Sequence, residues 1–158
     1  MAADMTLRVV DPGNRPAVEL LRVAADQEDF VDGVTASLRE AAAKPHCRPW
    51  YRAVYAGAEP VGFVMLADGV PPGTAEIPWR YYLWRMLIDA RFQGRGYGRA
   101  ALDLVVDHVR TRPSAATLVT SIVAGEGSPL GFYLRYGFRA TGEVFDHEQV
   151  LQLQLEAD

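Results

Sequence analysis

The chain has very little of two residues that often announce a function. Lys44 is the only lysine among 16 basic residues, and Cys47 is the only cysteine, so no internal disulfide can form. A lone thiol fits a reducing, cytoplasmic compartment. A basic excess is missing as well: 20 acidic residues leave a net charge of −4. Nucleic-acid-binding domains usually carry a basic surplus or stripe, so no nucleic acid is expected as a partner. No apolar run approaches the roughly 18 residues of a membrane span, and MAADMTLRVV lacks the layout of a secretion signal, so no membrane partner is expected. Repeats, low-complexity tails and a Gly-Lys-Ser/Thr phosphate loop are absent too. His46, His108 and His147 show no metal-ligand spacing, and no metal is predicted. Cys47 sits beside His46, but sequence neighbours seldom face each other, so it is read as structural rather than nucleophilic.

What is present suits one domain spanning 1–158, with 49% hydrophobic residues to build a core. TLRVV reads as a first strand, ended by the turn DPGN. Val18, Leu21 and Ala25 recur at helical spacing and predict a helix from Arg15 to about Phe30. VTASLREAAAK is a second, short helix. WYRAVYA and PVGFVML, separated by GAE, form a hairpin, and ADGVPPGTAEIPW is a loop. RYYLWRMLI is a buried central strand, followed by a glycine-rich turn and a helix to about Arg110. ATLVTSIVA, the short helix SPLGFYLRYG, and the pair RATGEVF and EQVLQLQLE complete the chain. This order predicts an α/β mixed sheet of about seven strands, mostly antiparallel, flanked by about four helices.

The stretch QGRGYG lies between the central strand and its helix. The first N–H groups of a helix lack intrahelical partners, and the macrodipole adds partial positive charge there. Glycine permits positive φ and removes the Cβ that would block a ligand, so the turn suits a pyrophosphate. Arg91, Arg95 and Arg99, four apart, would add charge-assisted contacts. A glycine-rich connection that binds nothing is the competing reading. Downstream, Phe132 and Tyr136 of GFYLRYGF share a helix face, while Tyr133 points elsewhere; core packing is the ordinary fate of such aromatics.

MLIDARFQGRGYGRAAL followed by GFYLRYGF resembles the GNAT superfamily of acetyl-CoA-dependent N-acetyltransferases. QEDFV, PVGFVML, LWRMLIDARFQGRGYG and TGEVFDHEQVLQLQL narrow the likeness to bacterial spermine/spermidine acetyltransferases. The resemblance implies a sheet splayed between the fourth and fifth strands, with acetyl-CoA as cosubstrate in the opening. Met86, Leu87 and Ile88 would pair with the pantetheine arm. Gln93, Gly94, Arg95, Gly96, Tyr97, Gly98 and Arg99 would cradle the pyrophosphate, and Ser128, Pro129 and Tyr133 would line the remaining wall. A bulge near Leu87 would free an N–H for the thioester oxygen, and Tyr133 would be the general acid. A homodimer is also the family habit.

The acceptor implied is a small-molecule amine of polyamine type, with Gln27, Phe30 and Trp84 on its path, together with Glu28, Asp29 and Asp32. Animal polyamine enzymes place a glutamate base on the central strand, where this chain has Trp84. A water chain to Glu76, Asp146 or Glu148 is the substitute, although each reads more readily as a solvated surface acid. Two alternatives stand beside the amine acetyltransferase: an enzyme for peptide N-termini or lysines, and a non-catalytic acyl-CoA sensor, which would not need Tyr133.

Overall fold

In the computed structural model, residues 4–28 and 30–155 are described. Among them, seven strands form one sheet in the order β1-β2-β3-β4-β5-β7-β6. The strands are β1 (Met5–Arg8), β2 (Pro49–Ala56), β3 (Glu59–Asp68), β4 (Tyr81–Ile88), β5 (Thr117–Ile122), β6 (Arg139–Phe145) and β7 (Glu148–Gln154). The α-helices are α1 (Arg15–Glu19), α2 (Val34–Ala43), α3 (Tyr97–Arg110) and α4 (Leu130–Tyr136). Every pairing is antiparallel except β4 with β5. The fold is the α/β mixed sheet that the order of elements predicted.

The sheet carries a core on each face. Val54, Val64, Leu66 and Leu83 meet Ala101, Leu102 and Val105 of α3 on one side. Ala53, Phe63, Met65 and Leu87 meet Val18, Val34 and Leu38 of α1 and α2 on the other. Alternation along β3 explains this division, since successive side chains point to opposite faces. Both faces of the strand are covered, so it reads as a continuous apolar run rather than an alternating one.

The first predicted helix is much shorter than its spacing suggested. α1 stops at Glu19, and only a 3-10 turn at Ala25–Gln27 follows. Tertiary bonds account for the break. The Arg22 amide donates to the Asp89 carboxylate at 2.8 Å, and its carbonyl accepts from the Ala90 amide at 2.7 Å. These bonds tie the segment to the end of β4, and continuing the helix would sever them.

β4 and β5 pair only at Tyr82↔Val119 and Leu83↔Thr120. Beyond that point β4 continues to Ile88 without a partner on this side, which opens the sheet. β4 also carries a bulge: Met65 opposes Arg85 and Leu66 opposes Leu83, leaving Trp84 as the extra residue. The bulge expected near Leu87 therefore lies three residues earlier, because Leu87 pairs in register with Phe63.

Candidate active site

The opening between β4 and β5 is a cavity of about 990 Å³, at the upper end of the range of roughly 300–1,000 Å³ for small-molecule sites. Its walls come from β4, the glycine turn, the start of α3, β5, α4, the segment before α2 and the β6–β7 turn.

At one end stands the glycine turn. Gly94 and Gly96 have φ of 77° and 81°, the left-handed region that favours glycine. A Cβ built on either meets nothing within 4 Å, so both face open space. Gly96 caps α3, and the first intrahelical bond runs from the Ala100 amide to the Gly96 carbonyl. The amides of Tyr97, Gly98 and Arg99 therefore have no intrahelical acceptor. Glycine at position 98 serves closeness instead, since a Cβ there would stand 3.4 Å from the Phe132 ring.

Of the three arginines expected around this turn, only Arg99 lines the cavity. Arg91 pairs with Asp89 at 2.8 Å. Arg95 lies over the Phe92 ring at 5.6 Å, outside the cavity wall, and Arg99 covers the Tyr136 ring. The Gln93 amide is likewise used within the protein, donating to the Ile88 carbonyl at 2.9 Å and to Gln27 Oε1 at 2.8 Å. Met86, Leu87 and Ile88 line the open edge of β4 as expected. Because the Asp89 amide bonds to Val61 in β3, the alternating backbone groups of Ile88 and Met86 face the opening.

α4 and the two residues before it bring Tyr133, Ser128 and Pro129 to the same cavity. Tyr133 is 6% exposed, with its ring edge-on to Phe132 and Phe138 at 5.2 Å. Burial pushes its phenol well above the usual tyrosine range, nearby Tyr82 adds to this, and the Thr120 hydroxyl opposes it. The group thus stays protonated through the neutral range.

The other lobe is acidic. Asp32, Glu40, Glu76, Asp146 and Glu148 line it, with Lys44 and Arg85 as its cations. Arg85 bonds to Asp32 at 2.8 Å and also to Glu40, while Lys44 bonds to Glu40 at 2.9 Å. Glu76 bonds to His46 at 2.8 Å. Trp84 and Phe145 line the same cavity, as do Gln27 and Phe30, but Gln27 bonds to Gln93 at 2.8 Å and Phe30 lies against Gly125 and Gly127, beside the expected cofactor wall. Glu28 is exposed and does not line the cavity, and Asp29 lies outside the described residues.

Sequence reasoning missed Tyr82, Thr120 and Ser121, which sit on paired strands 39 residues apart at the widest and join only through the β4–β5 register. It also missed that His46, Cys47 and Glu76 place their ligand atoms within 4.8 Å of one another. The tight turn before β2, with Arg48 at φ 58°, turns two sequence neighbours toward one loop carboxylate.

The sequence model of the Acetyltransferase (GNAT) family matches residues 15–138. A spermine/spermidine N(1)-acetyltransferase of Bacillus subtilis (strain 168) is 27% identical over 152 residues, covering 96% of this chain and 99% of that protein. The crystal structure of an acetyltransferase from Thermus thermophilus superposes with a TM-score of 0.67 at 21% identity, covering 98% of this chain and 100% of the other. A GNAT family acetyltransferase from Elizabethkingia anophelis with acetyl-CoA bound gives 0.65 at 15% identity, covering 98% and 99%.

Proposed function

This chain belongs to the GNAT acetyltransferase family, and from that premise we propose that it transfers the acetyl group of acetyl-CoA to a primary amine of a polyamine-like molecule. One observation carries the reading: a single cavity joins the glycine turn that opens α3, a buried phenol and a lobe lined by five carboxylates. Its residues fit the cosubstrate. Gly94 and Gly96 leave room where a Cβ would intrude, and the unpaired amides opening α3 offer donors to a diphosphate. Met86 and the open edge of β4 would take the pantetheine arm as an added strand.

The chemistry needs a neutral nitrogen, a polarised thioester carbonyl and a proton for the departing sulfur. Holding the reactants in line contributes most, and proton transfer adds roughly 10²–10⁴-fold. A backbone amide at the Trp84 bulge would stabilise the oxyanion. Tyr133, kept neutral by burial, would give its proton to the thiolate. The acceptor lobe would select an elongated cation through its carboxylates and the faces of Phe30, Trp84 and Phe145. The polyamine class is supported by that charge and by the relative from Bacillus subtilis, which is named for spermine and spermidine.

The test is release of free thiol from acetyl-CoA over a panel of spermidine, spermine, diamines, amino acids and peptides. Turnover is expected with polyamines in preference to peptides. Binding of acetyl-CoA with no turnover on any amine would replace the proposal with a sensor function.

A further inference from the structure

The structure contains a hydrogen-bonded chain that crosses the acceptor lobe from a buried phenol to a carboxylate at its mouth. Tyr82 Oη lies 2.5 Å from Ser121 Oγ, and Ser121 Oγ lies 2.6 Å from Glu148 Oε1. All three residues line the cavity, yet they come from β4, β5 and β7. Tyr82 is 8% exposed, and Trp79 holds it from behind, stacked at 5.3 Å and itself braced edge-on by Phe145 at 5.0 Å. Glu148 is half-buried, two residues from exposed Asp146.

The direction of the chain follows from counting hydrogens. A carboxylate has none to give, so the single hydroxyl hydrogen of Ser121 goes to Glu148. The Ser121 oxygen then accepts from Tyr82, whose oxygen has no other hydrogen-bond partner among the described residues. A proton arriving at Tyr82 Oη can therefore pass to Ser121 and on to Glu148 with no group required to rotate first.

We infer that Tyr82, Ser121 and Glu148 form the proton relay that removes the first proton from the acceptor ammonium. This rests on the acetyl-transfer reading of the same cavity. Tyr82 is the member that touches the amine, and Ser121 and Glu148 act through it. The balance is simple. One ammonium proton enters at Tyr82 Oη, the Tyr82 proton moves to Ser121, the Ser121 proton moves to Glu148, and Glu148 releases it to solvent. The neutral nitrogen then attacks the thioester carbon, and the carbon–sulfur bond breaks. The nitrogen's second proton replaces the one that Tyr133 gives to sulfur. The net products are an amide, a free thiol and one proton in water. An alkyl amine with a pKa of about 10.4 is almost wholly protonated at pH 7, so such a path is needed. It also answers for the carboxylate missing at Trp84. The charged and titratable groups facing Tyr82 are Glu148 from β7, Tyr133 from α4, Glu40 from α2 and Arg85 on its own strand.

Ser121→Ala tests the relay without changing any charge in the lobe. With spermidine and acetyl-CoA, the variant should lose about 10- to 100-fold in kcat at pH 7, with KM for both substrates within about threefold. Its log kcat should climb about one unit per pH unit toward pH 10, where solvent supplies neutral amine and the deficit closes. Ser121→Thr, which keeps the hydroxyl, should restore most of the neutral-pH rate. Glu148→Gln should show the same slope in kcat, with an added rise in KM from the lost charge. An unchanged Ser121→Ala, or a deficit equal at every pH, overturns the relay while leaving acetyl transfer intact. A wild-type protein that releases no thiol with any polyamine overturns the acetyl-transfer reading itself, and the relay with it.

Discussion

Tyr133 is the residue on which the proposed chemistry turns. Its burial was not visible in the sequence, where the phenol was only one of three aromatics on a short helix. Replacing it with Phe keeps the ring that packs against Phe132 and Phe138 and removes only the hydroxyl. The variant should lose about 10²-fold or more in kcat, while acetyl-CoA affinity by calorimetry stays within about threefold. Asp89 carries structure instead. It is 3% exposed and accepts from the Arg22 amide at 2.8 Å, the Arg91 amide at 3.0 Å and Arg91 Nε at 2.8 Å. Burial alone would push its carboxyl up, but the bonds from Arg91 and the Arg22 amide outweigh this and hold it below the usual range. A lowered pKa contributes stability above the unfolded value near 3.9, and the contribution fades as pH falls through the folded value. Asp89→Ala should therefore cost about 2–4 kcal/mol in urea unfolding at pH 7. At pH 3 the gap to the native chain should be narrower.

Strands and three of the four α-helices lie where the sequence put them, and the one helix that does not has a physical reason. YYLWRMLI and the hairpin around GAE run apolar to a turn signal, and β4 and β6 occupy the predicted stretches. The long first helix failed because a repeat of Val18, Leu21 and Ala25 cannot reveal a bond to Asp89, 67 residues from Arg22. The bulge was placed wrongly because registers are set between strands, not within one. The glycines illustrate both sides. Those at 94 and 96 announced a turn in the sequence, whereas the role of Gly62 in the middle of β3 emerges only from the fold. A Cβ at Gly62 would stand 2.5 Å from the Leu87 carbonyl oxygen, so Gly62→Ala should force β3 and β4 apart. A loss of about 2–4 kcal/mol in denaturant unfolding is expected. Gly96→Val acts on the turn and the ligand together, since a side chain at this φ strains the backbone. Its branched side chain would enter the open cradle at φ 81°, and the dissociation constant for acetyl-CoA should rise at least about tenfold.

At the scale of the whole molecule, the sheet is a device for opening one seam. Both cores run across β2 to β4 and on to β5 and β7, yet β4 and β5, where the two halves meet, share only two register positions. Tyr82 and Tyr133 stand along that seam, both held neutral chiefly by burial. A raised pKa contributes stability below the unfolded value near 10 and loses it as pH rises further. Unfolding free energy should therefore fall above pH 10, by up to about 3 kcal/mol per pH unit from these two groups, as urea midpoints at pH 9, 10 and 11 would record. The central claim is that this seam holds acetyl-CoA, with its diphosphate on the amides that open α3. Titrating ¹⁵N-labelled protein with acetyl-CoA tests it most directly. The largest amide shifts are expected at Gly94, Gly96, Tyr97, Gly98 and Arg99, with smaller ones at Met86 and along Ser128 to Tyr133. Shifts confined to other surfaces, or none at millimolar acetyl-CoA, would contradict the account.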